Sequence, residues 1–190
     1  MGKVIVMNWV TLDGVMQAPG KPDEDTREGF SHGGWAAPYS DPVAGEKMSE
    51  RMAGEFEWLL GRRSYEGLLE SWDSQGGPFK DALNNTRKHV ASRSAGTTLG
   101  WPNSDLLHGD VPTEVAALKQ RTDANLVILG SGVLIASLAT AGLIDEYVLM
   151  TAPIVLGEGR RLFGPGVQVS LRLLDCTPTS TGAVIATYGA

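Results

Sequence analysis

Cysteine occurs once in the 190 residues and histidine three times. The lone Cys176 cannot close an intrachain disulfide, and with His32, His89 and His108 scattered along the chain no zinc-ligand spacing arises, so neither a disulfide framework nor a metal site is expected. Long hydrophobic runs are missing as well. Val4 to Val10, the one apolar stretch near the start, is short, contains Asn8, and runs into Asp13-Gly14, which suits a first strand better than a secretion signal or a membrane span. The myristoylation pattern fails because Val6 stands where it requires Ser or Thr. The chain is therefore read as cytoplasmic and free of the membrane. Basic charge is in deficit, with 16 Lys and Arg against 22 Asp and Glu for a net charge of -6. With no basic run to form a patch, that balance repels a phosphate backbone and argues against nucleic acid as a partner.

Hydrophobic residues make up 42% of the chain and charged residues 20%, enough apolar material for a sizeable core and too little polarity for disorder. The length fits a single domain over residues 1–190. Lys3 to Val10, rich in Val and Ile, predicts a strand buried on both faces. Met16 to Pro42 turns to Gly, Pro, Asp and Ser with isolated aromatics Phe30, Trp35 and Tyr39, which predicts a substrate loop. Asp41-Pro42 predicts a helix start, with Val43, Met48, Met52 and Phe56 at helical intervals. Glu57 to Leu60 predicts a strand leading into a helix at Gly61-Arg62-Arg63-Ser64. Trp72 to Pro78 reads as loop, Phe79 to Asn84 as a turn or two of helix, and Lys88 to Ser92 as a short strand. Pro112 to Arg121 predicts a helix, Leu126 to Leu129 a strand, and Val133 to Ala141 a helix buried on the sheet. Ile144 to Ile154, Val167 to Asp175 and Ala183 to Tyr188 predict closing strands that pair antiparallel. The sum is an α/β fold, a mixed sheet flanked by helices with a C-terminal antiparallel hairpin.

Three strands end in small or basic residues just before a turn or helix, at Gly61-Arg62, Ser92-Arg93 and Gly130-Ser131-Gly132. Such ends suit a diphosphate-bearing cofactor, because glycine admits the backbone to a ligand and the first helical turn presents unpaired N–H groups. Standard fingerprints fail: Ile135 stands where a Rossmann turn needs its third glycine, no Gly-Lys-Ser/Thr triplet exists, and neither a serine-hydrolase elbow nor a Pro-Cys-x-x-Cys deaminase motif is present.

Taken in order, four segments resemble one superfamily. Gly61-Arg62-Arg63-Ser64-Tyr65-Glu66 looks like the Gly-Arg-x-Thr-x-Glu segment of dihydrofolate reductases. Thr11-Leu12-Asp13-Gly14 resembles a turn of the C-terminal reductase domain of the bifunctional deaminase-reductases of riboflavin biosynthesis. Gly130-Ser131-Gly132 takes the place of their glycine-pair turn, and Ala152 to Phe163 is similar to their closing strand and loop. The resemblance implies a dihydrofolate-reductase-like sheet of about eight strands that binds NADPH across the strand ends and passes hydride to a small pterin-like or ribosylaminopyrimidine-like substrate. It implies that Arg62 and Arg93, with Ser92 nearby, meet the 2′-phosphate, favouring NADPH over NADH. It places Gly61, Arg63 and Ser64 on one side of the diphosphate and Gly130, Ser131, Gly132, Val133 and Leu134 on the other.

Asp13 is the carboxylate expected nearest the substrate, to orient an amino group or help deliver a proton. Trp35 and Tyr39 are expected as the pocket wall, and Tyr147 either faces the ring from below or packs in the core. Glu46 and Glu50 are the nearest match to the catalytic carboxylate of folate reductases. A non-catalytic nucleotide-binding module of the same fold is the competing reading. The apolar terminal strands present a sheet edge, and a homodimer is expected.

Overall fold

The computed structural model describes residues 1–73 and 77–190. Strand β1 (Val4–Thr11) is almost wholly buried and lies at the centre of the sheet. After it come helix α1 (Pro42–Met52), strand β2 (Phe56–Gly61), helices α2 (Arg62–Asp73) and α3 (Gly77–Asn85), and strands β3 (Lys88–Ala91) and β4 (Ser104–Leu107). Helix α4 (Val111–Arg121), strand β5 (Asn125–Leu129), helix α5 (Gly132–Thr140) and strands β6 (Glu146–Ala152), β7 (Arg172–Pro178) and β8 (Val184–Gly189) complete the chain. The eight strands form one sheet in the order β4-β3-β2-β5-β1-β6-β8-β7. The first six strands of that order run parallel, and β8 pairs antiparallel with both β6 and β7. This is the mixed α/β sheet with antiparallel closing strands that the sequence predicts.

Period-two alternation on the central strands divides the core between two faces. Val4, Val6, Leu126 and Ile128 face Val115 and Leu118 of α4 and Leu134, Ile135 and Leu138 of α5. Ile5, Met7, Trp58, Leu60 and Val127 face Ala44 of α1, Tyr65 and Leu69 of α2 and Leu83 of α3. A third cluster lies within the long loop, where Val15, Ala18, Phe30, Trp35 and Ala36 pack against Ala152. The aromatics of residues 16–42 thus give this loop a core of its own, and two short 3-10 turns punctuate it.

Local chemistry sets the boundaries. Asp41 caps α1 by accepting from Val43 N at 2.9 Å, with Pro42 in the first turn. The same carboxylate accepts from Ser180 N and Oγ at 3.0 and 2.6 Å, fastening α1 to the β7–β8 turn. Four features differ from the sequence reading, the first being Phe56, which begins β2 instead of continuing α1. Trp72 and Asp73 continue α2, and Gly77 and Pro78 already belong to α3, while 74–76 lie outside the described residues. Strand β4 has no counterpart in the prediction, because its four residues bury only Leu107 and leave no periodicity to read. The strand predicted over Val167 to Asp175 begins only at Arg172, since Val167, Val169 and Leu171 pack individually on the first cluster without pairing.

Lys88 is fully buried at the start of β3. Its ammonium donates to Thr86 O at 2.7 Å and Pro102 O at 3.0 Å, tying β3 to the turn before β4. Desolvation without a carboxylate partner lowers its pKa to about 8. Between pH 8 and about 10 the unfolded chain, with lysine near its ordinary value, binds the extra proton, so Lys88's contribution to stability rises with pH in that window. We expect the unfolding free energy to increase there by up to about 3 kcal/mol, and Lys88→Met to flatten the rise. Urea denaturation across this pH range checks it; an unchanged slope in the variant would remove Lys88 as its source.

Candidate functional site

The strand ends predicted to hold a cofactor meet at one edge of the sheet. β2 pairs directly with β3 and β5, and β5 pairs with β1, so Gly61, Ser92, Gly130 and Thr11 line up along the carboxyl ends of four neighbouring strands. Ligands favour this edge in open α/β sheets. α2 begins directly after β2 on one face of the sheet, and α5 begins just beyond β5 on the other.

The two helix starts are joined by their serines. Ser131 Oγ accepts from Gly61 N at 2.9 Å, and Ser64 Oγ accepts from Ser131 N at 2.8 Å. Ser131 Oγ also donates to Leu129 O at 3.0 Å. Gly130 and Ser131 both adopt left-handed backbone, with φ of 59° and 60°. A β-carbon at Gly130 would sit 2.8 Å from Ser64 Oγ, and one at Gly132 would sit 3.0 Å from the sulfur of Met16. A side chain at 130 would be strained in this conformation and would displace the Ser64 hydroxyl from Ser131 N. Asn8 holds the same turn from β1, accepting from Gly130 N at 2.7 Å and donating to Gly130 O at 3.2 Å.

The residues expected around the diphosphate are therefore brought together, with altered roles. Ser131's hydroxyl is committed as acceptor and donor and Ser64's as acceptor, so an anion here would meet the backbone N–H groups of two helix starts. Val133 is 72% exposed on the first turn of α5, whereas the Leu134 side chain is buried in the α4–α5 core and cannot line the crevice. Arg62 Nη1 reaches Glu66 at 3.1 Å along α2, while exposed Arg63 and Arg93 form no ion pair among the described residues. Ser92 bonds Thr97 Oγ1 at 2.7 Å and accepts from Ser94 N, shaping the turn that carries Arg93.

Beyond the end of β1 the long loop meets the segment after β6. Leu12 N donates to Ile154 O, Met16 N to Arg160 O and Leu162 N to Gly14 O, at 2.8 to 3.0 Å. Buried Gln17 works as a hub: its oxygen accepts from Arg160 N at 2.9 Å and its amide nitrogen donates to the carbonyls of Asp25 and Arg27.

Asp13 fastens this junction. Its carboxylate accepts from Thr11 Oγ1 at 2.6 Å, Leu156 N at 3.2 Å and Gly157 N at 2.9 Å, and Arg161 lies 3.7 Å away. The Thr11 hydroxyl first, then the two backbone amides, lower its pKa to about 2 despite desolvation. At neutral pH it is therefore ionised, and its bonds make it an anchor for the 153–161 segment.

The aromatic expectations divide. Trp35 is 6% exposed and donates from its indole nitrogen to Gln17 O at 2.7 Å, so it is a pillar of the loop's core and not a pocket wall. Tyr39 is half-buried at the edge of that cluster. Tyr147 is fully buried with its ring 5.6 Å from that of Phe163, the core-packing alternative, and burial pushes its hydroxyl up to about 12. Glu46 is exposed on α1, and Glu50 reaches out to Arg51 at 3.4 Å, so neither is a buried carboxylate. Sequence reading missed Asn8, Met16, Gln17 and half-buried Trp9, which packs between the second and third clusters. An amide inside an otherwise apolar strand was the available signal for Asn8.

The Asp13 anchor has a defined pH window. Because its folded pKa is depressed, its contribution is complete above the ordinary carboxylate value near 4 and fades as pH falls toward 2. We expect Asp13→Asn to make the 153–161 segment susceptible to limited proteolysis at neutral pH, and the wild type to become so only in acid. Equal resistance of both proteins at neutral pH would show that the backbone bonds suffice.

The chain is 20% identical to a putative riboflavin biosynthesis protein from Shewanella sp. PV-4, with a TM-score of 0.69 over 98% of both chains. It superposes on dihydrofolate reductase from Enterococcus faecalis, solved with NADP(H), at a TM-score of 0.64 and 17% identity over 99% of this chain and 96% of that one. The fold is thus dihydrofolate-reductase-like. The diaminohydroxyphosphoribosylaminopyrimidine deaminase/5-amino-6-(5-phosphoribosylamino)uracil reductase of Thermotoga maritima matches at a TM-score of 0.63 and 13% identity, over 99% of this chain and 56% of that one. Among curated proteins, the uncharacterized protein YyaP of Bacillus subtilis is 28% identical over 107 residues, which is 56% of either chain. No helix among the described residues is long and apolar enough to cross a membrane. The model of the RibD C-terminal domain matches residues 2–185, and the chain belongs to that family of reductase domains.

Proposed function

We propose that the protein is an NADPH-dependent oxidoreductase that passes a hydride to a small heterocyclic substrate of the pterin or ribosylaminopyrimidine kind. The observation that carries this reading is the convergence of two helix starts, α2 and α5, on one crevice, kept open by Gly130 and clasped by Ser64 and Ser131. Two positive helix ends side by side suit a diphosphate. Arg63 and Arg93 flank the crevice on the β2–β3 side, where register places Gly61 beside Ala91. These two guanidiniums suit the 2′-phosphate that distinguishes NADPH from NADH, while Arg62 must first leave Glu66. NADPH supplies the hydride when bound, and the chain would orient it.

Calorimetric titration with NADPH and NADH tests the reading. We expect NADPH to bind more tightly, Arg63→Ala and Arg93→Ala each to weaken it about tenfold, a difference of about 1.4 kcal/mol, and Arg62→Ala to weaken it less. NADH affinity should hardly change. Absence of binding by either nucleotide overturns the reading. One observation favours the second reading, a nucleotide-binding module without turnover: Asp13 is engaged by Thr11 and two backbone amides, and Glu46 and Glu50 are exposed on α1. NADPH binding without oxidation across a panel of pterins and pyrimidines would select it.

We also propose a homodimer formed through the β7 edge, where Leu173 and Leu174 are 55% and 47% exposed. Sedimentation at micromolar concentration should give a dimer, and Leu174→Lys should shift it toward monomer. A monomeric wild type overturns this.

A further inference from the structure

We propose that Tyr65 is a positioning residue for nucleotide selectivity, acting through Arg93 and the segment that carries it. The inference rests on the NADPH reading and assigns part of the discrimination against NADH to a buried side chain. Tyr65 follows Ser64 in the first turns of α2, and the two neighbours hold different segments. Ser64 accepts from Ser131 N and so holds the Gly130 turn. The Tyr65 ring is 2% exposed and belongs to the core cluster of Trp58, Leu60, Leu69 and Val90.

The hydroxyl at the end of that ring meets the segment between β3 and β4. It accepts from Trp101 N at 2.8 Å and lies 3.0 Å from Oγ of Ser104, the first residue of β4. Ser104 Oγ donates to Pro102 O at 3.4 Å, which leaves the tyrosine hydrogen for Ser104. Lys88 holds the same Pro102 O from β3, and half-buried Leu99 and Trp101 pack against the cluster that contains the Tyr65 ring. The other half of the segment is a small turn closed on itself. Ser92 Oγ bonds Thr97 Oγ1 at 2.7 Å, and Thr97 donates to Ser94 O from its backbone nitrogen at 3.2 Å and its hydroxyl at 2.9 Å. Ser92 N donates to Leu107 O at 3.0 Å. β4 therefore holds the turn of Arg93 on its near side, and the stretch bonded to Tyr65 holds it on the far side.

Register sets Gly61 beside Ala91, so the start of α2 and the turn of Arg93 leave the sheet as neighbours. A phosphate that engages both Arg63 and Arg93 gains most when their spacing is preset, because ordering flexible side chains on binding costs free energy. Tyr65 presets it by bonding the helix that carries Arg63 to the segment that carries Arg93. Removing the hydroxyl keeps the ring in the core and leaves Trp101 N without this acceptor. NADH has no 2′-phosphate, so its affinity does not depend on that spacing.

Calorimetric titration of Tyr65→Phe with NADPH and NADH, alone and in an Arg93→Ala background, tests the proposal. Trypsin cleavage after Arg93 reads the order of the segment directly. We expect Tyr65→Phe to weaken NADPH about fivefold, to leave NADH unchanged, and to speed that cleavage. Ser104→Ala, a second variant outside the buried ring, should weaken NADPH about threefold, again without effect on NADH. In the Arg93→Ala background Tyr65→Phe should have little further effect, because the group it positions is gone. Equal weakening of both nucleotides, unchanged NADPH affinity, unchanged cleavage, or an undiminished effect in the Arg93→Ala background overturns the proposal and leaves the NADPH reading standing. A wild type that binds neither nucleotide overturns both.

Discussion

Two consecutive residues in left-handed conformation, Gly130 and Ser131, determine how the open end of the sheet is built. They turn the chain from β5 into α5 so sharply that Ser131 projects back to the end of β2, where it meets Gly61 N and its own N–H meets Ser64. Asn8 reads both polar groups of Gly130 from the central strand. Three strands and two helices are thereby fixed relative to one another by five short hydrogen bonds, with no charged group among them. Neutral bonds of this kind are each modest, but none can be lost alone without leaving a half-buried polar group unsatisfied.

Electrostatics then differentiates the two sides of the crevice. On one side the guanidiniums of Arg63 and Arg93 point into solvent; on the other, cations and carboxylates neutralise one another within the loop system. Two of the exposed cations of this acidic chain, with a net charge of -6, thus lie beside the helix starts. That asymmetry is a property of placement, since the arginines are not unusual in number.

Much of this was legible in the sequence, for identifiable reasons. β1 and β5 announce themselves because continuous Val, Ile and Leu suit strands buried on both faces, and Gly130-Ser131-Gly132 stands out because glycine pairs are rare beside such strands. The positions of Gly61, Ser92 and Gly130 at one sheet edge follow once the strands are known. Individual side-chain roles were harder. Asp13 was recognisable as special, but its engagement with Leu156 and Gly157 spans more than 140 residues of chain, and no local pattern encodes it. Trp35 looked like a ligand platform because loops rarely carry aromatics without reason; the reason here is a small core inside the loop. β4 escaped because a four-residue edge strand with one buried side chain has no period to detect.

The position of β1 at the heart of the sheet has a consequence for biosynthesis. Its two neighbours are β5 and β6, so this strand finds neither partner until residues near 125 and 146 have followed it. During translation this Val- and Ile-rich segment must wait, exposed and unpaired, while well over a hundred residues are added, and contacts of such long separation form slowly. The intermediate in which this strand is still unpaired is thus the state most in need of a chaperone, and the junction of the α2 and α5 starts forms only once residues 61 to 131 have joined the sheet.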